Sequence, residues 1–155
     1  MTAGVDWLDD VIAAGTRLRD EAVRRDAALV GPPVAKLVAV GLATVDLDRL
    51  VDRLGGEWLP VVRDPLLGAT TRRLAAELES EGRPAVLILE PDTEGPLAAA
   101  LARFGEGLAA IYVRPGRPAG GRFEATGPFG PARLAPGPAW GPHVLALEPR
   151  ATIER

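Results

Sequence analysis

Cysteine is absent from this chain. Disulfides, thiolate metal sites and cysteine nucleophiles are therefore excluded, and the compartment is left open. Histidine occurs once, at His143. No metal site built on two histidines can form within one chain. A Ser-His-Asp triad would have to use His143, in a proline-rich stretch, and no GxSxG elbow is present. No GxGxxG follows a strand and no Walker sequence occurs. Lysine also occurs once, at Lys36, so arginine supplies nearly all the positive charge. The net charge is −3. A nucleic-acid partner needs a basic face to displace counterions from phosphates, and the composition offers no such excess. No apolar run approaches the roughly 20 residues of a membrane span. The opening MTAGVDWLDD is acidic and lacks a positive segment with an apolar one behind it, so it does not read as a signal peptide. These absences lead to the expectation of a cytoplasmic protein with neither nucleic-acid nor membrane partners.

What is present suits one domain. The chain has 155 residues, 47% of them hydrophobic, enough to bury a sizeable core. Glycine and proline crowd into residues 114–142, which predicts turns there. Residues 6–29 read as an amphipathic helix. Trp7, Leu8, Val11, Ile12, Leu18, Ala22 and Leu29 form its apolar stripe, Asp6 is its expected cap, and Gly31-Pro32-Pro33 ends it. Val34–Thr44 reads as a buried strand. Asp46 then caps a short helix, DLDRLVDRL, stopped by Gly55-Gly56. Trp58–Val62, Ala85–Leu89, Leu108–Val113, Arg122–Thr126, Ala132–Ala135 and His143–Leu147 read as strands, and Pro96–Phe104 as a short helix. Residues 66–82 fit two patterns. Leu67, Leu74 and Leu78 share a helical face, and Ala, Leu, Glu and Arg favour helix. Leu74, Ala76 and Leu78 also alternate as in a strand. The helical option gives a small parallel α/β domain, with ligands near Thr44, Arg63 or Glu90 at the strand ends.

Three stretches taken in order, AVGLATVDLDRLVDRLGGEWLPV (39–61), VLILEPDTEGPLAAALARFGEGLAAIYV (86–113) and FGPARLAPGPAWGPHVLALEP (129–149), resemble the vicinal-oxygen-chelate superfamily. That superfamily includes glyoxalase I, methylmalonyl-CoA epimerase and the bleomycin-resistance proteins. The middle stretch looks most like the epimerase branch. The resemblance implies an α+β fold of two βαβββ modules forming a cupped mixed sheet. It divides the chain into an N-terminal helix over 1–31 and one glyoxalase-like domain over 34–150. It requires a strand over 72–79 and leaves a shortened second module, because only PGRPAGG stands where a helix would follow the fifth strand.

In such enzymes a histidine opens the first strand and another the fifth, and acids come from the fourth and eighth strands. Carried onto this chain, those positions fall on Ala39, Ala110, Leu87 and Ala146, the last to within one residue. All are apolar. The resemblance therefore implies a degenerate member that keeps the cup, lacks the metal ligands and carries no cofactor.

Tyr112 shares the strand face of Ala110, and either lines a pocket through its hydroxyl or is core with the hydroxyl at the rim. Glu148 shares a face with Ala146 and could enter the cup; otherwise it is a solvated strand-end carboxylate. His143 is either a structural turn residue beside Trp140 or a general base. Trp7, Trp58 and Trp140 read as core anchors. Arg72 and Arg73 face opposite ways on a strand and cannot clamp one anion together. Glu106, in a Gly-Glu-Gly turn, reads as solvated. Asp46, Asp48 and Asp52 read as capping and surface charge.

The expectation is a metal-free binding or structural module with an apolar cup, lined by Ala39, Leu87, Ala110, Tyr112, Ala146, Glu148 and His143. It could take an apolar small molecule or pair as a homodimer through the N-terminal helix. The alternative is a lyase- or isomerase-type enzyme working without metal through Glu148, Tyr112 or His143.

Overall fold

The computed structural model describes residues 3–25, 35–75, 83–116, 123–135 and 142–148. Helix α1 spans Ala3–Arg25. It begins earlier than expected, so Asp6 lies inside the helix rather than at its cap. Leu29, the Gly31–Pro33 stop, residues 76–82, most of the 115–121 loop and Trp140 lie outside the described residues.

The next elements follow the sequence closely. Strand β1 (Lys36–Ala43) leads to α2 (Leu47–Leu54). Asp46 caps α2 by accepting the Arg49 N–H, and the left-handed backbone at Gly55, φ 72°, ends it. Strand β2 is Val62–Asp64, not Trp58–Val62. Pro60 has no N–H to give a ladder, so regular pairing starts after it and Trp58 makes only an isolated bridge to Leu74.

The described part of the ambiguous stretch, residues 66–75, forms a turn and then a strand. The Asp64 carboxylate accepts the N–H groups of Leu66 and Leu67, and Gly68 takes φ 67°, so the chain reverses at once. β3 (Ala69–Arg73) then returns antiparallel between β2 and β4 (Ala85–Pro91). Helix propensity is overridden because this segment completes the sheet. The strand lies earlier than the expected 72–79, and the parallel α/β alternative is excluded. Helix α3 (Pro96–Phe104), with proline in its first turn, follows. β5 (Gly107–Arg114), β6 (Ala125–Gly127), β7 (Gly130–Leu134) and β8 (His143–Leu147) complete the fold.

The eight strands form one sheet in the order β2-β3-β4-β1-β5-β8-β7-β6. Each half has the same plan. β4 lies parallel to β1, and β8 lies parallel to β5. The two units join edge to edge through the antiparallel β1–β5 pair. The sheet curls into a nearly closed cup. Two irregularities in the β1–β5 register sharpen that curl at its centre, one between Leu37 and Ala39, the other between Gly41 and Leu42.

The faces of the sheet carry separate cores. The concave face buries Ala39, Leu67, Leu87, Leu89, Ala110, Tyr112, Leu145 and Leu147. The convex face buries Val40, Val86, Ile111, Val113, Val144 and Ala146 beneath α1, which contributes Leu8 and Ala22. Helix α2 sets Leu47 and Val51 on Ile88. α1 comes very close to β1 at Gly15, where a Cβ would stand 2.3 Å from Val40 Cγ1. No helix among the described residues is long and apolar enough to cross a membrane.

Candidate functional site: the floor of the cup

The concave face brings together three of the four positions implied as metal-binding. Ala39 on β1 and Ala110 on β5 have no accessible surface, and Leu87 on β4 has 1%. Tyr112 stands with them on the same side of the sheet. Ala146 does not. It packs on the convex side with Val144, and its neighbours Leu145 and Leu147 take the cup side instead. The pleat decides this, because a one-residue shift exchanges the two faces of a strand. The permitted one-residue shift thus lands on leucine in either direction.

Methyl and isobutyl groups offer no lone pair, so this set does not fit a divalent ion. Among the described residues no group of three or more His, Asp or Glu side chains is placed to hold one. The floor is also dense. Leu67 reaches into it from the β2–β3 turn, and Leu67, Leu89, Leu97 and Leu145 have no accessible surface. Side chains without accessible surface leave no water-sized space beside them.

A buried carboxylate lies within this apolar setting. Asp64, at the end of β2, is fully buried. Its Oδ1 accepts the Leu66 and Leu67 N–H groups at 3.0 and 3.3 Å, and its Oδ2 accepts the Tyr112 hydroxyl at 2.5 Å. All of these donors satisfy a charge that would otherwise be costly to bury. Tyr112 meets Phe129 edge-on, with ring centroids 5.3 Å apart, and the Arg73 guanidinium lies 5.0 Å from the Phe129 centroid. Burial pushes the Tyr112 hydroxyl well above the usual phenol range, and the adjacent Asp64 carboxylate adds to the shift. Tyr112 is thus core, and its hydroxyl is used internally. Asp64 was not anticipated. Its signal was local: Asp-Pro-Leu-Leu-Gly is a turn sequence whose first residue can bond the following amides.

Of the remaining candidates, His143 adjoins the floor beside Ala110, and Glu148 and Arg72 lie away from it. His143 opens β8 in register with Ala110, half-buried, with Nε2 3.3 Å from the Pro96 carbonyl oxygen. Glu148 lies just beyond β8 and is exposed. Its N–H donates to the Pro131 carbonyl, and its own carbonyl accepts from Arg114 Nε. Arg72 turns away from Arg73 and donates to the Leu59 carbonyl.

Glu106 is exposed, as expected of its turn, and is also bonded to the β1–α2 junction. It accepts the Thr44 hydroxyl at 2.8 Å and the Val45 N–H at 2.9 Å, and these bonds hold its carboxyl below the usual range. Glu90 accepts the Leu47 N–H at the start of α2. Both acids therefore organise the β1–α2 junction, where a carboxylate is favoured by the unpaired amides of a helix start.

The cupped sheet of two like halves defines the class: this is the vicinal-oxygen-chelate, or glyoxalase, fold. Solved structures share it. A hypothetical protein from Bacillus halodurans C-125 superposes with a TM-score of 0.55 at 19% identity, over 78% of this chain and 99% of that one. A methylmalonyl-CoA epimerase variant from Streptomyces coelicolor, in complex with 2-nitronate-propionyl-CoA, gives a TM-score of 0.57 at 18% identity, over 72% of this chain and 96% of that one. The epimerase from Mycobacterium tuberculosis gives 0.54 at 19%, over 75% and 89%. No protein-family model and no curated protein matches the sequence. At these identities the likeness is one of fold.

Proposed function

We infer that this chain is a metal-free member of the fold, a binding or structural module in which the catalytic cup has become packed core. One observation carries the reading: hydrocarbon stands at Ala39, Leu87 and Ala110 on the cup floor, and at Leu145 and Leu147 on either side of Ala146, with no more than 1% of any of these surfaces accessible. The enzyme alternative has less support. Tyr112 is committed to Asp64, Glu148 is exposed at the rim of β8, and His143 faces a main-chain carbonyl. An apolar small molecule would have to displace Leu67 or its neighbours to enter. Association with a partner, including a homodimer, has support elsewhere. Leu59, Val61 and Val62 lead into the edge strand β2 with 38, 57 and 49% of their surface exposed. Such an apolar edge is a ready surface for pairing. A cytoplasmic setting completes the reading.

Thermal unfolding with Mg²⁺, Mn²⁺, Co²⁺, Ni²⁺ or Zn²⁺, each against a chelator, tests it. A resident metal at a hundred times its Kd would add about 2.7 kcal/mol. For a chain of this size that is a rise of roughly 5–10 °C. The expected result is the same midpoint in all conditions. A saturable rise of that size with one metal would overturn the reading.

A further inference from the structure

We propose that the Asp64–Tyr112 bond is a latch that closes the cup, joining the two halves of the sheet across its hollow. The inference rests on the metal-free reading, under which no ion is available to tie the halves together.

The sheet order places the two residues far apart. Asp64 lies on β2, the first strand, and Tyr112 on β5, the fifth. Neighbouring strands are about 4.8 Å apart, so four steps would separate these strands by roughly 19 Å in a flat sheet. A tyrosine side chain cannot span that distance. Yet the hydroxyl reaches the carboxylate, so curvature must supply the approach.

The same carboxylate also meets the far edge. A Cβ built on Gly127 of β6, the eighth strand, would stand 3.4 Å from Asp64 Cγ. Seven steps would place β6 roughly 34 Å away in a flat sheet. Strands β2 and β6 share no ladder. Their approach is a seam made by side chains and by a residue with no side chain. Asp64 is thus the point where first strand, fifth strand and last strand converge.

The remaining contacts lock this point from both halves. In the first half, the Asp64 carboxylate shapes its own turn, the Gly68 N–H donates to the Asp64 carbonyl, and the Leu97 N–H donates to the Leu67 carbonyl. In the second half, Phe129 from the β6–β7 turn packs edge-on against Tyr112. Arg73 of the first half lies over that same ring. A hydrogen bond to a buried charge is among the stronger bonds a fold contains, and leaving the carboxylate with one partner fewer carries an added desolvation cost.

Amide hydrogen exchange on the full chain, read in chelator, tests the latch. In Tyr112→Phe the amides of residues 64–68 and 125–134 are expected to exchange about ten- to a hundredfold faster. Those of Val40 and Ile88, in the centre of the sheet, are expected to keep their wild-type protection. Gly127→Val wedges the seam without touching Tyr112 and is expected to open the same segments. It keeps the test decisive if Tyr112→Phe does not fold. Uniform acceleration over all strands, or no change at the seam in the variant that folds, would overturn the latch. A change in wild-type exchange between chelator and added metal would instead overturn the metal-free reading, so the two failures are distinct.

Discussion

Replacement of Leu67 by alanine discriminates a packed cup from an open one. Leu67 projects from the β2–β3 turn into the concave face, where it has no accessible surface. Its backbone is fixed on both sides: the N–H is held by the Asp64 carboxylate and the carbonyl by the Leu97 N–H. The turn therefore cannot move inward to fill the space a leucine leaves. Truncation of a buried leucine that cannot be compensated costs about 2–5 kcal/mol. For a chain of this length the melting midpoint should fall by roughly 4–20 °C. Thermal unfolding followed by circular dichroism measures this, with Leu59→Ala as the control. Leu59 is 38% exposed, and its truncation should cost about 0.5 kcal/mol or less. The cavity left in Leu67→Ala should be dry and apolar, and benzene should raise the midpoint of that variant but not of the wild type. If Leu67→Ala melts within 1 °C of the Leu59→Ala control, or benzene stabilises the wild type equally, the cup is an open pocket and the reasoning fails.

Three other outcomes follow from particular contacts. Gly15→Ala should destabilise the chain, because the clash with the stiff Val40 side chain, costing about 1–3 kcal/mol, outweighs a helix-propensity gain of about 1 kcal/mol; chemical denaturation reads the sign. Tyr112 is the only tyrosine, and its ionisation is raised on folding, so the stability it lends is intact below the unfolded phenol value of about 10 and is lost as pH rises toward the folded value. Phenolate absorbance should therefore appear only with alkaline unfolding, and early titration of the native state would refute the buried bond. Glu106 is held low, chiefly by the Val45 N–H and the Thr44 hydroxyl, so its contribution is present above the unfolded carboxylate range and disappears as pH falls through the folded value; Glu106→Gln should flatten the acid limb of the stability–pH curve.

The regular elements were legible where one local signal acted alone. Asp46 and Gly55 bounded α2, Pro96 opened α3, and short continuous apolar runs marked β1, β4 and β5. Residues 66–75 were not legible from propensity. There the decision lay with a turn at Asp64–Gly68 and with two neighbouring strands remote in sequence. The cup floor was readable at Ala39, Leu87 and Ala110 because those strands could be placed in register. Ala146 was misplaced because a period of two gives no tolerance for a one-residue offset. Asp64 was invisible for a related reason. Its turn role is local, but its partnership with Tyr112 exists only once the sheet has curled. The demand for glycine at position 15 arises only from the close approach of α1 to Val40.

On the proposed reading, hydrocarbon fills the floor of the cup where a metal site would stand. Elemental analysis of the protein purified without chelator, with native mass spectrometry of the same sample, tests it most directly. The expected result is no divalent metal in stoichiometric amount and a mass equal to that of the bare chain or a multiple of it. One equivalent of a divalent metal per chain, retained through native mass spectrometry, would contradict it.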